Sequence, residues 1–282
     1  MKNKAVLCAL LFVAILPWTN ARAVILFDEN FDGEPYHNNT AFNDPLFPVT
    51  GVNKLNYGYW SINNAGAAVV SASTATSLSS TRSMALTSNA AGEQAQVVGN
   101  LGVNGSAGTT TTEALVIKFA FNLQDVTRMS LFLMRDGNGA NLGYLTLGGA
   151  TSEVKAIFGS GSSSLGTVSN NTWYTMEMIM SANPGNGTNI YSASLYNSDG
   201  SSQIGTATGT FAAVSTAKNY RYFTAYNQGY AGQTVPLTTY FDNISVQTIP
   251  EPSGLAYIML GGLGLLLLQK YRRAGRSVVS SR

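Results

Sequence analysis

The segment Ala114–Leu123 decides the fold class, and it reads ALVIKFAFNL. Its odd positions carry large apolar side chains, whereas Lys118 lies on the opposite side. Such alternation predicts a half-buried β-strand. Segments 220–226 and 240–246 show the same period of two, and no long window of the middle region has a convincing helical stripe. The middle of the chain is therefore expected to be all-β.

Proline and glycine divide this region into many further short runs with strand composition. The predicted strands cover residues 25–31, 57–62, 67–71, 83–87, 95–98, 114–123, 129–135, 142–147, 154–158, 173–180, 189–196, 205–209, 220–226 and 238–246. Glycine-containing segments at 136–139 and 197–200 predict hairpin turns, because glycine accepts positive φ angles. Many antiparallel strands at this spacing predict one antiparallel jelly-roll β-sandwich at 24–249, which hides the apolar faces of two sheets.

Charge is sparse and unevenly placed. The chain has 282 residues, of which 11% are charged, against roughly 25% in average soluble proteins. The formal net charge of +2 comes from the two ends, because residues 24–249 hold 8 basic and 13 acidic side chains, a net charge of −5. This dispersed acidic charge offers no patch for a nucleic-acid backbone, so we expect no nucleic-acid partner. The single cysteine, Cys8, lies near the N-terminus and leaves the predicted domain without a disulfide.

The N-terminus has the three parts of a secretory signal peptide in order. Lysines near the start supply positive charge, and residues 5–16 form an apolar run. Ala21 and Ala23 then supply the small side chains that signal peptidase accepts. We therefore predict a signal peptide at 1–23, cleaved after Ala23, and an exported protein. A buried core helix is the alternative for this run.

The C-terminus ends with a second apolar segment. Residues 253–268 carry no charge and, as a helix, would reach about 24 Å, somewhat short of a ~30 Å hydrocarbon core. The cations that follow, Lys270, Arg272 and Arg273, can lengthen it by reaching the interface, and the positive-inside bias keeps them cytoplasmic. We expect a transmembrane helix, a short cytoplasmic tail at 274–282, and the domain on the opposite side of the membrane.

The tripeptide Pro250-Glu251-Pro252 directly precedes this segment. Together with the apolar helix and the basic cluster, at 250–273, it resembles a PEP-CTERM sorting signal. The resemblance implies an exosortase-type membrane protease that recognises the tripeptide and cuts near it. It also implies anchoring in the inner membrane before processing, and afterwards a place in the cell envelope, on the outer surface or outside the cell. A plain single-pass anchor is the alternative.

Four late segments of the predicted domain resemble a concanavalin A-like or laminin-G-like jelly roll. They read NTWYTMEMIM, NIYSASLYNSDG, YRYFTAYN and TTYFDNISV. The early segment VILFDENFDG is similar to the first strand of such domains. The resemblance implies that this first strand pairs with the last one, at 239–246. A galactose-binding-like jelly roll is the alternative.

Motifs for catalysis are scarce. A Ser-His-Asp site needs a histidine, and the single one, His37, falls in a predicted loop. Glycosidases use paired carboxylates, and Glu177 has no acidic neighbour at 175 or 179. Zinc sites need several histidines or cysteines, which the chain lacks. We therefore expect that the chain is not an enzyme and carries no catalytic cofactor.

Acidic residues cluster near the start of the domain, at positions 28, 29, 32 and 34. Asp242 lies on the strand expected to run beside this cluster. Carboxylate oxygens suit Ca²⁺, which takes six to eight oxygen ligands. We therefore consider a structural calcium site formed by Asp28, Asp32 and Asp242. Solvated acids in turns are the alternative.

Aromatic side chains offer the remaining candidate site. Sugars stack on aromatic rings, with polar neighbours binding the hydroxyl groups. The segment from Tyr226 to Tyr230 reads YNQGY and is interpreted as a loop, in which Tyr226, Asn227 and Tyr230 would bind carbohydrate. Core packing explains aromatic residues equally well, and we expect Trp60 and Trp173 to lie in the core.

These patterns lead to three functional hypotheses. The first is an exported protein of the cell envelope or extracellular matrix, structural or adhesive, whose domain binds neighbouring proteins or extracellular polysaccharide. The second is a carbohydrate-binding module. The third is an envelope glycosidase, against which the missing pair of carboxylates argues.

Overall fold

In the computed structural model the chain divides into two units, Val24–Ile249 and a second one formed by Met1–Ala23 and Pro250–Arg282. The structure describes the ranges 25–29, 31, 59–62, 65–78, 82–101, 114–159, 161–181, 190–210 and 220–249, with the backbone alone at 59–62 and 100. All of these belong to Val24–Ile249. The predicted signal peptide, transmembrane helix and sorting segment therefore lie outside the described residues.

Within the described ranges every regular element is a β-strand, and no helix occurs. The strands are β1 (Ile25–Glu29), β2 (Tyr59–Ile62), β3 (Val69–Ser73), β4 (Ser83–Ser88), β5 (Gln94–Asn100), β6 (Ala114–Leu123), β7 (Ser130–Arg135), β8 (Asn141–Leu147), β9 (Glu153–Phe158), β10 (Gly161–Thr167), β11 (Trp173–Met180), β12 (Ile190–Tyr196), β13 (Gln203–Thr210), β14 (Tyr222–Gln228) and β15 (Leu237–Ile249).

The strands form two antiparallel sheets. Sheet A has 8 strands in the order β13-β12-β11-β6-β15-β4-β3, with β1 paired to β15 as well. Sheet B has 7 strands in the order β10-β9-β8-β7-β14-β5-β2. The expected pairing of the first strand with the last is confirmed, since Asp28 lies opposite Ser245 and Glu29 opposite Ile244. The prediction of an all-β, antiparallel jelly-roll sandwich is likewise confirmed.

Phenylalanine side chains join the two sheets. Phe119 of sheet A stacks on Phe132 of sheet B with 4.0 Å between ring centroids, and Phe132 stacks on Phe223 at 5.4 Å. Phe121 and Phe241 of sheet A are also fully buried in this core. Burying each such side chain contributes about 1.5–3 kcal/mol. The sandwich therefore depends on apolar burial between the sheets.

Strand β6 follows the alternation expected from its sequence. Leu115, Ile117 and Phe119 are buried, whereas Lys118 is exposed. The Lys118 ammonium forms an ion pair with the Glu177 carboxylate across β6 and β11, with 2.8 Å between Nζ and Oε2. Glu177 therefore lies on the outward face of its strand, as the sequence indicates.

The two predicted hairpin turns are also present. In the first, the Gly139 N–H donates to the Asp136 carbonyl and Gly139 has a φ of +81°. In the second, the Gly200 N–H donates to the Asn197 carbonyl and Gly200 has a φ of +71°. Glycine adopts these left-handed angles without a Cβ clash, so the turns are encoded locally.

Strand β10 is absent from the sequence prediction. Its sequence, GSSSLGT, is rich in glycine and serine, which have low strand propensity. It pairs with β9 at the edge of sheet B, and its one large apolar side chain, Leu165, is buried. Tertiary contacts therefore determine this strand, against its local preference.

A β-bulge in β15 reverses the direction of its side chains. The register with β6 shifts between Asp242 and Ser245, where Asn243 has a φ of +49°. Phe241 is buried before the bulge and Ile244 after it, so the buried positions change from odd to even numbers. Our interpretation of this stretch as one run with a period of two is therefore wrong.

Asp242 is fully buried beside this bulge. Its carboxylate oxygens accept hydrogen bonds from two backbone N–H groups, that of Leu78 at 2.9 Å and that of Asn243 at 2.8 Å. The carboxylate thus ties the segment between β3 and β4 to the last strand. It also accepts the backbone N–H of Asn243 at the bulge itself.

Replacing Asp242 by alanine is expected to lower the free energy of unfolding by about 1–3 kcal/mol for each of the two donors left unsatisfied. Urea denaturation monitored by tryptophan fluorescence measures this change. Asp199→Ala is the matched control, because Asp199 also accepts a backbone N–H, from Ser201, but at an exposed turn. Equal losses for the two variants would contradict a structural role for the buried carboxylate.

Candidate functional site

The outer face of sheet B brings together side chains from six strands, β5, β14, β7, β8, β9 and β10, and we call it the tyrosine face. Phe223 and Ala225 of β14 point into the core, so Tyr222, Thr224 and Tyr226 point outward. The strand register then places two rows of outward side chains across the sheet. The first row is Gln96, Tyr226, Leu131, Thr146, Lys155 and Ser164, and the second is Val98, Thr224, Leu133, Tyr144, Ile157 and Ser162.

Three tyrosine side chains lie on the tyrosine face. Tyr144, Tyr222 and Tyr226 are all half-buried, so part of each side chain reaches the surface. Burial raises the pKa of the Tyr226 hydroxyl above its ordinary value. The Tyr226 phenol group is therefore available as a neutral hydrogen-bond donor near neutral pH.

Apolar and hydroxyl groups lie between the tyrosines. Leu131 and Ile157 are half-buried, and Leu133 is 6% exposed. Thr224, between Tyr222 and Tyr226 on β14, is fully buried, and its Oγ1 atom has no hydrogen-bond partner among the described residues. Leaving a buried hydroxyl without a partner is unfavourable, and such groups are rare in folded proteins.

One edge of the tyrosine face carries a closed polar network around Glu153. Its carboxylate accepts hydrogen bonds from the hydroxyls of Thr151 and Ser164, and the Lys155 Nζ lies 3.0 Å from its Oε2 atom. Hydrogen bonds from Thr151, Lys155 and Ser164 together lower the pKa of Glu153 to about 2. This carboxylate therefore stays ionised at neutral pH, and its oxygens are engaged by Thr151, Ser164 and Lys155.

The proposed loop of carbohydrate-binding residues is not a loop. Strand β14 extends to Gln228, so Tyr226 and Asn227 lie on opposite faces of sheet B. Tyr226 belongs to the tyrosine face. Asn227 is buried on the inner side, where its Nδ2 donates to the carbonyls of Leu86 and Leu237.

Tyr230 follows in the next turn. The guanidinium carbon of Arg128 lies 3.3 Å from the centroid of its ring, so an arginine already covers one ring face. Tyr226, Asn227 and Tyr230 therefore do not share one surface. The structure adds Tyr144, Tyr222, Gln96 and Thr146 to Tyr226 instead, and their separation in the sequence hides this grouping.

The acidic residues considered for calcium are only partly described. Asp28 is exposed on β1, and partial burial raises the pKa of its carboxyl. Asp242 is buried and already accepts the two backbone hydrogen bonds given above. Asp32 lies outside the described residues, among which no three His, Cys, Asp or Glu side chains are grouped for metal binding. The calcium site therefore stays a prediction.

Other predicted positions also lie outside the described part of the chain. They are Ala21 and Ala23 of the signal peptide, Pro250, Glu251 and Pro252 of the sorting motif, and Lys270, Arg272 and Arg273 of the basic cluster. Among the described residues there is no helix with the length and apolar character needed to span a membrane. Trp173 is half-buried, and its Nε1 donates to Thr76 Oγ1 at 2.9 Å.

No family model and no curated protein matches the sequence. Solved structures do match the fold. The catalytic domain of a glycoside hydrolase family 131 protein from Coprinopsis cinerea is 11% identical with a TM-score of 0.52, over 80% of this chain and 95% of that one. A sialidase is 12% identical with a TM-score of 0.51, over 79% of this chain, which spans about a fifth (19%) of the sialidase. The winged bean acidic lectin is 10% identical with a TM-score of 0.48, over 82% of this chain and all (100%) of that one.

These similarities correct one expectation. A sialidase and a glycoside hydrolase catalytic domain share the fold, so the expectation that the chain is not an enzyme is overturned. That expectation rested on missing sequence motifs, whereas a sandwich of this fold forms the catalytic domain of the glycoside hydrolase family 131 protein. At this level of identity the comparison establishes the fold itself.

The network around Glu153 makes a testable prediction about its titration. The Glu153 carboxyl is expected to titrate near pH 2, against an ordinary value of 4.5, in an NMR pH titration of the side chain. Because the folded-state pKa is below the unfolded one, the stabilisation is present above about pH 4.5 and is lost as the pH falls toward 2. Thr151→Ala should raise the midpoint, since it removes the strongest of the hydrogen bonds. A wild-type midpoint near 4.5 would contradict this account.

Proposed function

We propose that the tyrosine face binds a carbohydrate chain. The observation that carries this proposal is the grouping of Tyr144 and Tyr226 with the polar side chain of Thr146 on one surface. Sugars present both C–H faces, which pack on aromatic rings, and hydroxyl groups, which need hydrogen-bond partners. A surface with half-buried rings and uncharged polar groups suits both parts.

Apolar side chains on the tyrosine face support the same conclusion. Val98, Leu131 and Ile157 are half-buried on the same face, between the polar side chains. Apolar patches rimmed by polar groups on a protein surface mark sites where a ligand or partner removes them from water.

The distance between Tyr144 and Tyr226 favours an oligosaccharide over a single sugar. Tyr144 and Tyr226 are two strands and one row apart, which places their Cα atoms on the order of 12 Å from each other. A ligand that contacts both rings must extend across several strands. We therefore expect binding to a polymer.

The similarity to the glycoside hydrolase family 131 catalytic domain gives independent support. That protein acts on glycosides by its name, and it shares the sandwich over nearly its whole length. The comparison favours the carbohydrate-binding hypothesis over a purely structural or adhesive role. An adhesive role remains compatible with it if the polymer is an extracellular polysaccharide.

Binding can be tested with the purified full-length protein on a glycan array, followed by titration calorimetry with the retained glycan. Tyr144→Ala and Tyr226→Ala are each expected to weaken binding by about 5- to 30-fold, the effect of losing a contact of about 1–2 kcal/mol. Tyr196→Ala is the control, because Tyr196 is a half-buried tyrosine of sheet A. Retention of no glycan, or an equal loss in the control, would refute the proposal.

We also propose that the protein is exported and sorted through its C-terminal segment. The motif Pro250-Glu251-Pro252, followed by an apolar run and a basic cluster, supports recognition by an exosortase-type protease. The signal peptide at 1–23 supports export and cleavage by signal peptidase. Its polymer ligand would then be met in the cell envelope or outside the cell.

The sorting proposal is tested by the intact mass of the protein purified from cells with and without an exosortase. Loss of residues 1–23 is expected in both, and loss of the C-terminal segment beginning near Pro250 is expected only with the protease. Replacing Pro250 and Pro252 by alanine should prevent the second cleavage, because prolines keep the motif extended. A full-length chain in the cytosol of both strains would contradict the proposal.

A further inference from the structure

Two arginines lie at one end of the tyrosine face. Arg135 is the register partner of Tyr222, and the Arg221 backbone N–H donates to the Arg135 carbonyl at 3.0 Å. The guanidinium carbon of Arg221 lies 5.0 Å from the centroid of the Tyr222 ring. The Arg221 guanidinium is thus held beside the Tyr222 ring, and Arg135 lies opposite Tyr222 in the register where β7 and β14 meet.

Neither arginine is paired with a carboxylate in the described part of the chain. The ion pairs there engage Lys118, Arg128 and Lys155. The side chain of Arg135 donates from Nε to Asn141 Oδ1 at 3.1 Å, and the Nε of Arg221 is buried without a hydrogen-bond partner. A partly buried cation that lacks an anion is unfavourable, so an anionic ligand would relieve this cost.

The nearest acidic residue in the sequence, Asp136, is already engaged. Its Oδ1 accepts the backbone N–H groups of Asn138 at 2.8 Å and Ala140 at 2.9 Å, which closes the turn after β7. At the opposite edge of the face, Glu153 is held by Lys155 and two hydroxyls. Among the described residues, the tyrosine face therefore has neutralised charge at the β9–β10 edge and positive charge without a carboxylate partner at the β7–β14 end.

This local positive charge stands against the charge of the domain as a whole. Residues 24–249 carry a net charge of −5, so the long-range field does not attract a polyanion. Recognition of an anion must then come from short-range contacts. The planar guanidinium group supplies these, because its parallel N–H donors match the two oxygens of a carboxylate.

We propose that Arg135 and Arg221 bind the carboxylate of an acidic sugar, so that the glycan recognised by the tyrosine face is a polyuronate. The inference rests on the proposed carbohydrate-binding function and specifies the class of polymer. A uronate residue would place its carboxylate between the guanidinium groups, while the neighbouring residues of the chain pack on Tyr226 and Tyr144. A sulfated polymer offers the same charge with a different geometry and is separated from a polyuronate in the test.

The test uses the purified full-length protein and a panel of polyuronates, namely polygalacturonate, polyglucuronate, polymannuronate and polyguluronate. Each is compared by affinity electrophoresis and calorimetry with its carboxyl-reduced, uncharged form. A sulfated derivative of an uncharged polysaccharide is measured in the same way. Wild-type protein is expected to bind at least one polyuronate about tenfold or more tightly than its reduced form, since charge-assisted hydrogen bonds are lost on reduction. Equal binding of both forms, binding of the sulfated polymer alone, or no binding to any polyuronate would overturn the inference.

Variants assign the effect to the two arginines. Arg135→Gln and Arg221→Gln should each lower the affinity for the polyuronate by about tenfold and leave the affinity for the reduced polymer unchanged. Arg128→Gln is the control, because that cation pairs with Asp125 and covers Tyr230 away from Tyr222. Thermal melts check the fold of each variant, and if Arg221→Gln unfolds, Arg135→Gln at its half-buried position carries the test.

The proposed function and the inference can fail separately. If Tyr144→Ala weakens binding to the acidic and reduced polymers alike while the arginine variants change neither, the carbohydrate-binding face stands and the inference fails. If the Arg135→Gln variant loses affinity equally for both polymers, the arginine acts on the shape of the face and the inference fails as well. If wild-type protein binds no glycan of any kind, the proposed function itself fails.

Discussion

The stacking of Phe119 on Phe132, with 4.0 Å between ring centroids, is the contact on which the rest of the structure depends. It joins the central strand β6 of sheet A to β7 of sheet B, and Phe223 extends the stack on the sheet B side. The described part of the chain has no helix to cover either sheet. Apolar burial between the sheets is therefore the main force that holds them together.

This inner contact also determines the outer surface. Because side chains alternate along a strand, placing Phe132 and Phe223 inside turns Leu131, Tyr222 and Tyr226 outward. The tyrosine face is thus a consequence of the core register. A slip of one residue in β14 would bury the two tyrosines and expose Phe223, so the core and the candidate site are stabilised by the same packing.

Buried polar side chains provide hydrogen bonds to backbone groups that apolar packing would leave unsatisfied. The buried Asp242 carboxylate satisfies donors beside the bulge of β15, and Asn227 binds carbonyls of β4 and β15 from the inner face of sheet B. Glu153 closes a network at one edge of the tyrosine face. Arg135 and Arg221 differ from these groups, because no described carboxylate satisfies them, and this contrast is the reason to assign them a ligand.

The sequence alone determined the features that depend on neighbouring residues. The alternation of β6 and the glycines of the two hairpin turns were readable because strand periodicity and positive φ angles are local properties. The pairing of β1 with β15 was also anticipated, from a family resemblance. Tyr226 was singled out at the end of a predicted strand, although that strand continues to Gln228 where a loop was expected.

The tertiary structure alone decided the rest. β10 forms from a glycine- and serine-rich segment because β9 offers it hydrogen bonds, and the bulge at Asn243 changes which side chains of β15 are buried. Tyr144, Gln96 and Arg135 join Tyr226 and Arg221 only through the register of strands far apart in the chain. That register follows from which faces the core buries across both sheets, and no short stretch of sequence contains this information.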